Sequence, residues 1–216
     1  MSEPVKPKRR YDSPRRRQQA ADTRRDILAA AQRRFEHDGY VATTMAAVAK
    51  DADVALKTVY LAFETKGGLL RALWHLLLRG DDDRTPVGGR QWYQEVLDES
   101  DPERKLRLNA RNARMVKQRA GSLLAVIASA APLDDDTATL WRTIQREFYD
   151  NQEAIVESLD ARSALAPGLD VRRATDILWT LNHPHLWGLL VRERGWTPEQ
   201  FEQWFGDACC AQLLAC

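Results

Sequence analysis

Lys57, Thr58 and Tyr60 stand within four positions of one another, with Leu56 and Leu61 on either side. An ammonium, a hydroxyl and a phenol at that spacing put hydrogen-bonding groups along one side of a helix, and the leucines add methyl groups between them. Such a set suits a nucleic acid. Lys57 can donate to guanine O6 and N7, an apolar side chain such as Leu56 or Leu61 can touch a thymine methyl, and the Tyr60 phenol can reach a phosphate oxygen. Thr44, near another helix start, can join backbone N–H groups in holding a second phosphate, while Met45 and Thr58 are further candidates for base contact. The remaining clusters are less suggestive. His183-Pro184-His185 and the pair Cys209-Cys210 lack partner ligands at metal spacing, and no Gly-rich phosphate loop or nucleophile motif occurs. Two histidines beside a proline read as a helix-start turn. The three cysteines are odd in number and read as reduced thiols, with redox or metal sensing through Cys209, Cys210 or Cys216 as the alternative. Neither an enzyme nor a cofactor is expected.

The elements that must position these groups lie between Gly39 and Leu70. Met45, Val48, Ala49 and Ala52 recur at i, i+3, i+4 and i+7, one apolar helical face, with Thr43 or Thr44 ahead of it as a cap. After a tight break at 51–54, Val59 and Phe63 face inward one turn apart, which leaves Lys57, Thr58, Tyr60 and Leu61 on or near the outer side. Two short helices across so short a turn form a helix-turn-helix, whose second helix can enter a major groove. A preceding helix opening at Thr23, with Asp26 in a capping-box position, buries Ile27, Ala31 and Phe35 and stops at Gly39. Arg24 and Arg25 near its start are positioned to add phosphate contacts.

At these residues the chain resembles the TetR family of bacterial transcriptional repressors. The resemblance is carried by Gly39-Tyr40, Thr43-Thr44, Val48-Ala49, Ala52-Asp53-Val54-Ala55, Thr58-Val59-Tyr60, Phe63, Lys66 and Leu69, in the family's order and spacing. Two positions depart. Asp53 replaces the turn glycine, and Ala55 replaces the residue that usually caps the second helix, a loss of about 1 kcal/mol for that helix. The resemblance implies that Lys66 is a cation aimed at the DNA backbone. It also implies a C-terminal domain that encloses a small-molecule effector and forms a homodimer through a four-helix bundle. Trp74, Trp92, Asn109, Asn112, Met115, Trp141 and Phe148 are the candidates for the effector pocket, and Ile177, Leu178, Phe205, Leu213 and Leu214 for the bundle. A two-fold dimer presents its recognition helices ~34–36 Å apart and asks for a near-palindromic double-stranded operator.

Charge distribution points the same way without the family. Residues 1–79 hold 16 Lys and Arg against 9 Asp and Glu, a balance of +7, and the remainder holds 16 against 22, a balance of −6. A basic third on an acidic body suits a polyanion-binding module joined to one that is not. The expected fold is all-α, with a basic disordered arm over 1–21 and a three-helix DNA-binding domain over 22–66. A connecting helix over 67–80 then leads to a helical effector-binding and dimerisation domain over 81–216. Helices are expected from Trp92 to Leu97, from Pro102 to about Arg119, from Ser122 to Ala131, through Trp141 to Leu159, over 171–181, from Pro184, and from Glu199 to about Leu214. Gly67-Gly68 either softens the start of the connecting helix into a hinge or is a local sequence choice with no such role. No apolar run reaches the ~20 residues of a membrane span and the basic opening is unlike a signal peptide, so a cytoplasmic protein with no membrane partner is expected.

Overall fold

In the computed structural model, which describes residues 14–79 and 85–215, the first helix, α1 (Pro14–Ala42), begins well ahead of Thr23. Residues 14–21, expected in a disordered arm, are its opening turns. Three arginines, two glutamines and two alanines in succession are good helix formers, and proline suits a first turn. Gln18 donates to Asp22 one turn on, at 3.1 Å. The basic residues before Pro14, residues 80–84 (which include the start of the polar loop 81–89 expected to part the domains), and Cys216 lie outside the described residues. Gly39 leaves the helical region at φ 76° and kinks α1 before its last turn. A Cβ there would meet nothing within 4 Å, so the conformation and not crowding calls for glycine.

Thr44 caps α2 (Met45–Asp51), its hydroxyl accepting the Ala47 N–H at 3.1 Å. Asp53 makes the turn at φ 51°, as a short polar side chain can. The chain enters α3 (Leu56–Phe63) through Ala55, which supplies no side-chain cap. Next come α4 (Lys66–Arg79) and α5 (Gln91–Asp98). The two helices expected over 102–131 are a single one, α6 (Pro102–Ala130). Gly121 sits within it because the Trp187 indole packs only 3.1 Å from where a Cβ would stand. Asp134 and Asp170 cap α7 (Asp135–Asp160) and α8 (Val171–Leu181). The one-turn α9 (Pro184–Trp187) runs into a π-helical turn, and α10 (Pro198–Leu213) opens with a Thr197/Gln200 capping box. Among the described residues no helix is long and apolar enough to cross a membrane.

Two hydrophobic cores form. The first joins Ile27, Phe35, Val48, Val59, Leu69 and Leu73 of α1–α4 to Leu123 and Ile127 of α6 and to Leu140 and Ile144 of α7. The second gathers Val96, Leu106, Ile155, Leu159, Leu178, Phe201 and Phe205. The sequence boundary near residue 80 therefore does not divide the packing. Leu178, Phe205 and Leu213, expected in an intersubunit bundle, are wholly buried within the chain. On α10 Trp204 and Ala208 are partly exposed and Ala211 is exposed.

Gly67 and Gly68 are buried, not loose. A Cβ on Gly68 would stand 2.3 Å from the Phe63 carbonyl oxygen, and one on Gly67 would stand 2.7 Å from Asp136 Cβ. The pair is a close-packing device, which corrects the hinge expectation. Alanine's better helix propensity gains at most ~1 kcal/mol, and overpacking outweighs it. Gly68→Ala is expected to destabilise the protein by about 1–3 kcal/mol in urea denaturation, and Gly67→Ala by less. A neutral or stabilising Gly68→Ala would restore the hinge.

Candidate nucleic-acid interface and ligand cavity

Val59 and Phe63 anchor α3 in the first core, and its other side faces outward: Leu56 is 42% exposed, Tyr60 48% and Leu61 76%, with Lys57 also exposed and Thr58 half-buried. Thr44 is exposed beside them at the start of α2. Met45 is only 6% exposed and packs in the core, so it is corrected from candidate base contact to core residue, in keeping with its place on the apolar stripe of α2. The outward groups thus combine donors and methyls on one helix face. Residues 14–21, read from the sequence as part of a basic arm, reach this face as a helix. Arg16 and Gln19 of α1 line a groove with Thr58 and Leu61, placing a guanidinium next to the recognition face.

Other cations hold this face in position. Arg34 grips Asp51 with two parallel bonds of 2.6 and 3.0 Å and Asp38 with a third of 3.0 Å, clamping α1 to the end of α2. That fork holds the Asp51 carboxyl below its usual range. Arg24, expected on phosphate, donates to the Ala62 carbonyl at 2.9 Å and lies 4.2 Å over the Phe63 ring. Arg25 pairs with Asp22 at 2.7 Å on the surface. Lys66, also expected on phosphate, donates to the carbonyls of Tyr40 and Thr43 at 2.9 and 3.2 Å, 4.1 Å from the Tyr40 ring centre. Burial pushes its pKa down. Two of its three donors therefore close the junction between α1, α2 and α4.

A cavity of about 110 Å³ lies between α4, α5, α6, α7 and the α8–α9 turn. Trp74, Trp92, Asn109, Asn112 and Phe148 line it, as expected. Met115 and Trp141 do not line it and are corrected. Met115 is 36% exposed on the outer side of α6, and Trp141 packs against the first core. Asn112 donates to the Trp92 carbonyl at 2.7 Å and fixes α5 against α6. The polar end of the cavity escaped the sequence reading. Lys117 donates to Asn182 Oδ1, while the amides of Asn182 and Asn109 both reach Gln152 Oε1, at 3.3 and 3.4 Å. Lysine and glutamine in helical sequence read as surface; only the spacing of Lys117 after Asn109 and Ala113, on the buried side of α6, pointed inward.

The cysteine and histidine clusters take structural places. His183 accepts the His185 N–H at 3.2 Å and caps α9, the helix-start turn expected of it. Cys209 is fully buried and Cys210 partly so, and burial pushes both thiols up, away from the low-pKa, accessible state of a redox sensor. Among the described residues no group of three His, Cys, Asp or Glu is placed to hold a metal.

The sequence model of the bacterial regulatory proteins, tetR family, matches residues 27–73. Over 166 residues the chain is 30% identical to a probable HTH-type transcriptional regulator, ArpR, of Pseudomonas putida, covering 74% of this chain and 76% of that one. Its fold is similar to that of NalD, the secondary repressor of the MexAB-OprM multidrug efflux pump in Pseudomonas aeruginosa. The TM-score is 0.72 at 20% identity, with 91% of this chain and 98% of that one covered. A SmeT–triclosan complex superposes with a TM-score of 0.69 at 17% identity, covering 89% and 92%.

Burial of Lys117 gives the protein a pH dependence of definite sign. Desolvation pushes its pKa down to about 7 from an ordinary value of 10.5. Below about pH 7 the proton is bound in both states, and the folded state bears the full penalty of burying the charge. Between about 7 and 10.5 the unfolded chain binds more protons than the folded one, so stability rises with pH. Lys117→Met is expected to raise the melting temperature at pH 6 by about 2–8 °C, the shift that ~1–2 kcal/mol gives in a chain of this size, and by less at pH 9. Thermal melts of both proteins at the two pH values check this, and an equal gap at both would refute it.

Proposed function

The chain belongs to the tetR family of bacterial regulatory proteins, and from that membership we propose that it is a cytoplasmic, homodimeric repressor released from a near-palindromic operator by a small, largely apolar effector. As a family member it is a DNA-binding transcriptional regulator. The observation that carries the finer reading is the path of α4. This helix starts at Lys66 in the DNA-binding head and presents Trp74 and Leu78 to the cavity. A ligand seated there touches the same rod that sets the pose of α3. NalD, of the same fold, is a repressor, and SmeT, also of that fold, has been solved with triclosan; both support the reading.

In this mechanism Lys57 donates to a base edge while Leu56, Leu61 and Thr58 supply apolar and hydroxyl contacts in the major groove. Tyr60 and Thr44 position the head on phosphates. Lys66 holds the head together and offers its remaining donor to the backbone. The outer faces of α8 and α10, including Trp204 and Ala208, form the dimer contact that spaces the two heads. Release needs no covalent chemistry. The effector binds the DNA-incompetent spacing more tightly, and by linkage the loaded protein binds DNA less well.

Footprinting of the purified protein on DNA flanking its own gene, at two salt concentrations, tests this. A protected two-fold site whose occupancy falls steeply with salt is expected. Lys57→Ala should weaken binding to that site by about 1–3 kcal/mol and relax sequence preference, whereas Tyr60→Phe should weaken binding to all sequences alike. Uniform weak protection with no preferred site, unchanged by Lys57→Ala, would rule out the operator-specific reading.

A further inference from the structure

Lys117 is 5% exposed and lies on the cavity wall. Among the described residues no carboxylate stands within ion-pair distance of it. Its Nζ bonds to Asn182 Oδ1, and the Phe201 and Phe205 ring centres lie 5.4 and 5.8 Å away. When protonated, Lys117 has three donors, for which the described residues supply a carbonyl oxygen and two ring faces and no acid partner. A second unmet demand lies on the same wall: both side-chain amide atoms of Gln145 are buried without a hydrogen-bond partner. Trp74, Leu124, Ile144 and Phe148 make much of the rest of the lining apolar. At about 110 Å³ the space is on the scale of one six-membered ring, a cavity of about 150 Å³ being known to hold benzene in another protein.

We propose that the cavity takes a small organic acid, its ring or short apolar body among Trp74, Ile144 and Phe148 and its carboxylate paired with Lys117, with Gln145 as a further hydrogen-bonding group. This rests on the reading of the cavity as the effector site and adds the chemical class of the effector. The other groups facing Lys117 do not compete for it. From α10 the Cys209 thiol is kept neutral by burial. From the α8–α9 turn, the pKa of His183 is pushed down, first by burial and then by His185 and Lys117. From α7, Glu147 is exposed and forms no ion pair with Lys117. With the Lys117 pKa about 7, the lysine is mostly neutral at mildly alkaline pH, so an arriving carboxylate draws a proton onto it.

Benzoate and benzamide, alike in shape and different in charge, are the probes. Calorimetric titration of the full-length protein at about pH 8, in two buffers of different ionisation enthalpy, reads affinity and proton uptake together. Benzoate is expected to bind roughly tenfold or more tightly than benzamide, with uptake of about one proton. Lys117→Met, which keeps an unbranched apolar stem and removes the amine, should abolish both the preference and the uptake. Equal affinities in the wild type, a benzoate preference that survives Lys117→Met, or no binding of either probe would overturn the proposal. Operator release measured beside the titration separates the two readings. Benzoate bound through Lys117 with DNA affinity unchanged keeps the acid site and removes the effector role. Benzamide that binds as well as benzoate and releases DNA keeps the effector role and removes the acid.

Discussion

Nothing larger than a hydrogen fits between the first turn of α4 and the end of α3. The Phe63 carbonyl and the Asp136 side chain occupy the space that a Cβ on Gly68 or Gly67 would need. Lys66, one residue earlier, reaches back to the Tyr40 and Thr43 carbonyls, so α1, α2, α3 and α4 meet at one point. Close-packed interiors transmit displacement instead of absorbing it, and a joint of this kind leaves α3 no pose independent of α4. The orientation of the outward face therefore depends on this contact more than on any residue of the face itself.

From that joint two helices lead to the cavity. Trp74 and Leu78 lie about 12 and 18 Å along α4 from Lys66, at 1.5 Å per residue. On α7, Asp136 accepts a hydrogen bond from Thr65 at 3.2 Å, and Phe148, about 18 Å further along, lines the cavity. Two rods thus have one end in the head and another position on the ligand site, an arrangement suited to shear between packed helices. The buried polar chain from Lys117 through Asn182 and Gln152 to Asn109 belongs to the same wall, tying α6, α7 and the end of α8 to one another.

Much of this was legible in the sequence because the signals are local. The stripe of Met45, Val48 and Ala49, the caps at Thr44, Asp101, Asp134, Asp170 and Thr197, and the Asp53 turn each depend on neighbours a few residues away. What escaped depends on distant partners. Gly121 falls in the gap between the two helices expected over 102–131, and Trp187, which fills the space beside it, is far off in sequence. Gly67-Gly68 looked loose for the same reason. Met115 and Trp141 looked like pocket residues because size and apolarity do not say which way a side chain on a long helix points. Lys117 and Gln152 were passed over because polar residues are usually solvated, and their burial follows only from the packing of α6 against α7, α8 and α10. The arm was shortened by ordinary helix propensity that the run of positive charge concealed.

The first core takes side chains from both sides of residue 80, with Leu123, Ile127 and Leu140 closing over Ile27, Leu69 and Leu73. The unit of inheritance in sequence and the unit of cohesion in space are consequently different. A hybrid regulator spliced at the loop would carry a foreign surface onto the underside of its head, and its mismatched leucines would leave voids or clashes. The grafted head would then sit askew even with every DNA-facing residue intact. A workable splice must exchange the inner faces of α6 and α7 together with the head, so the modularity of such a protein is set by its packing and not by its linker.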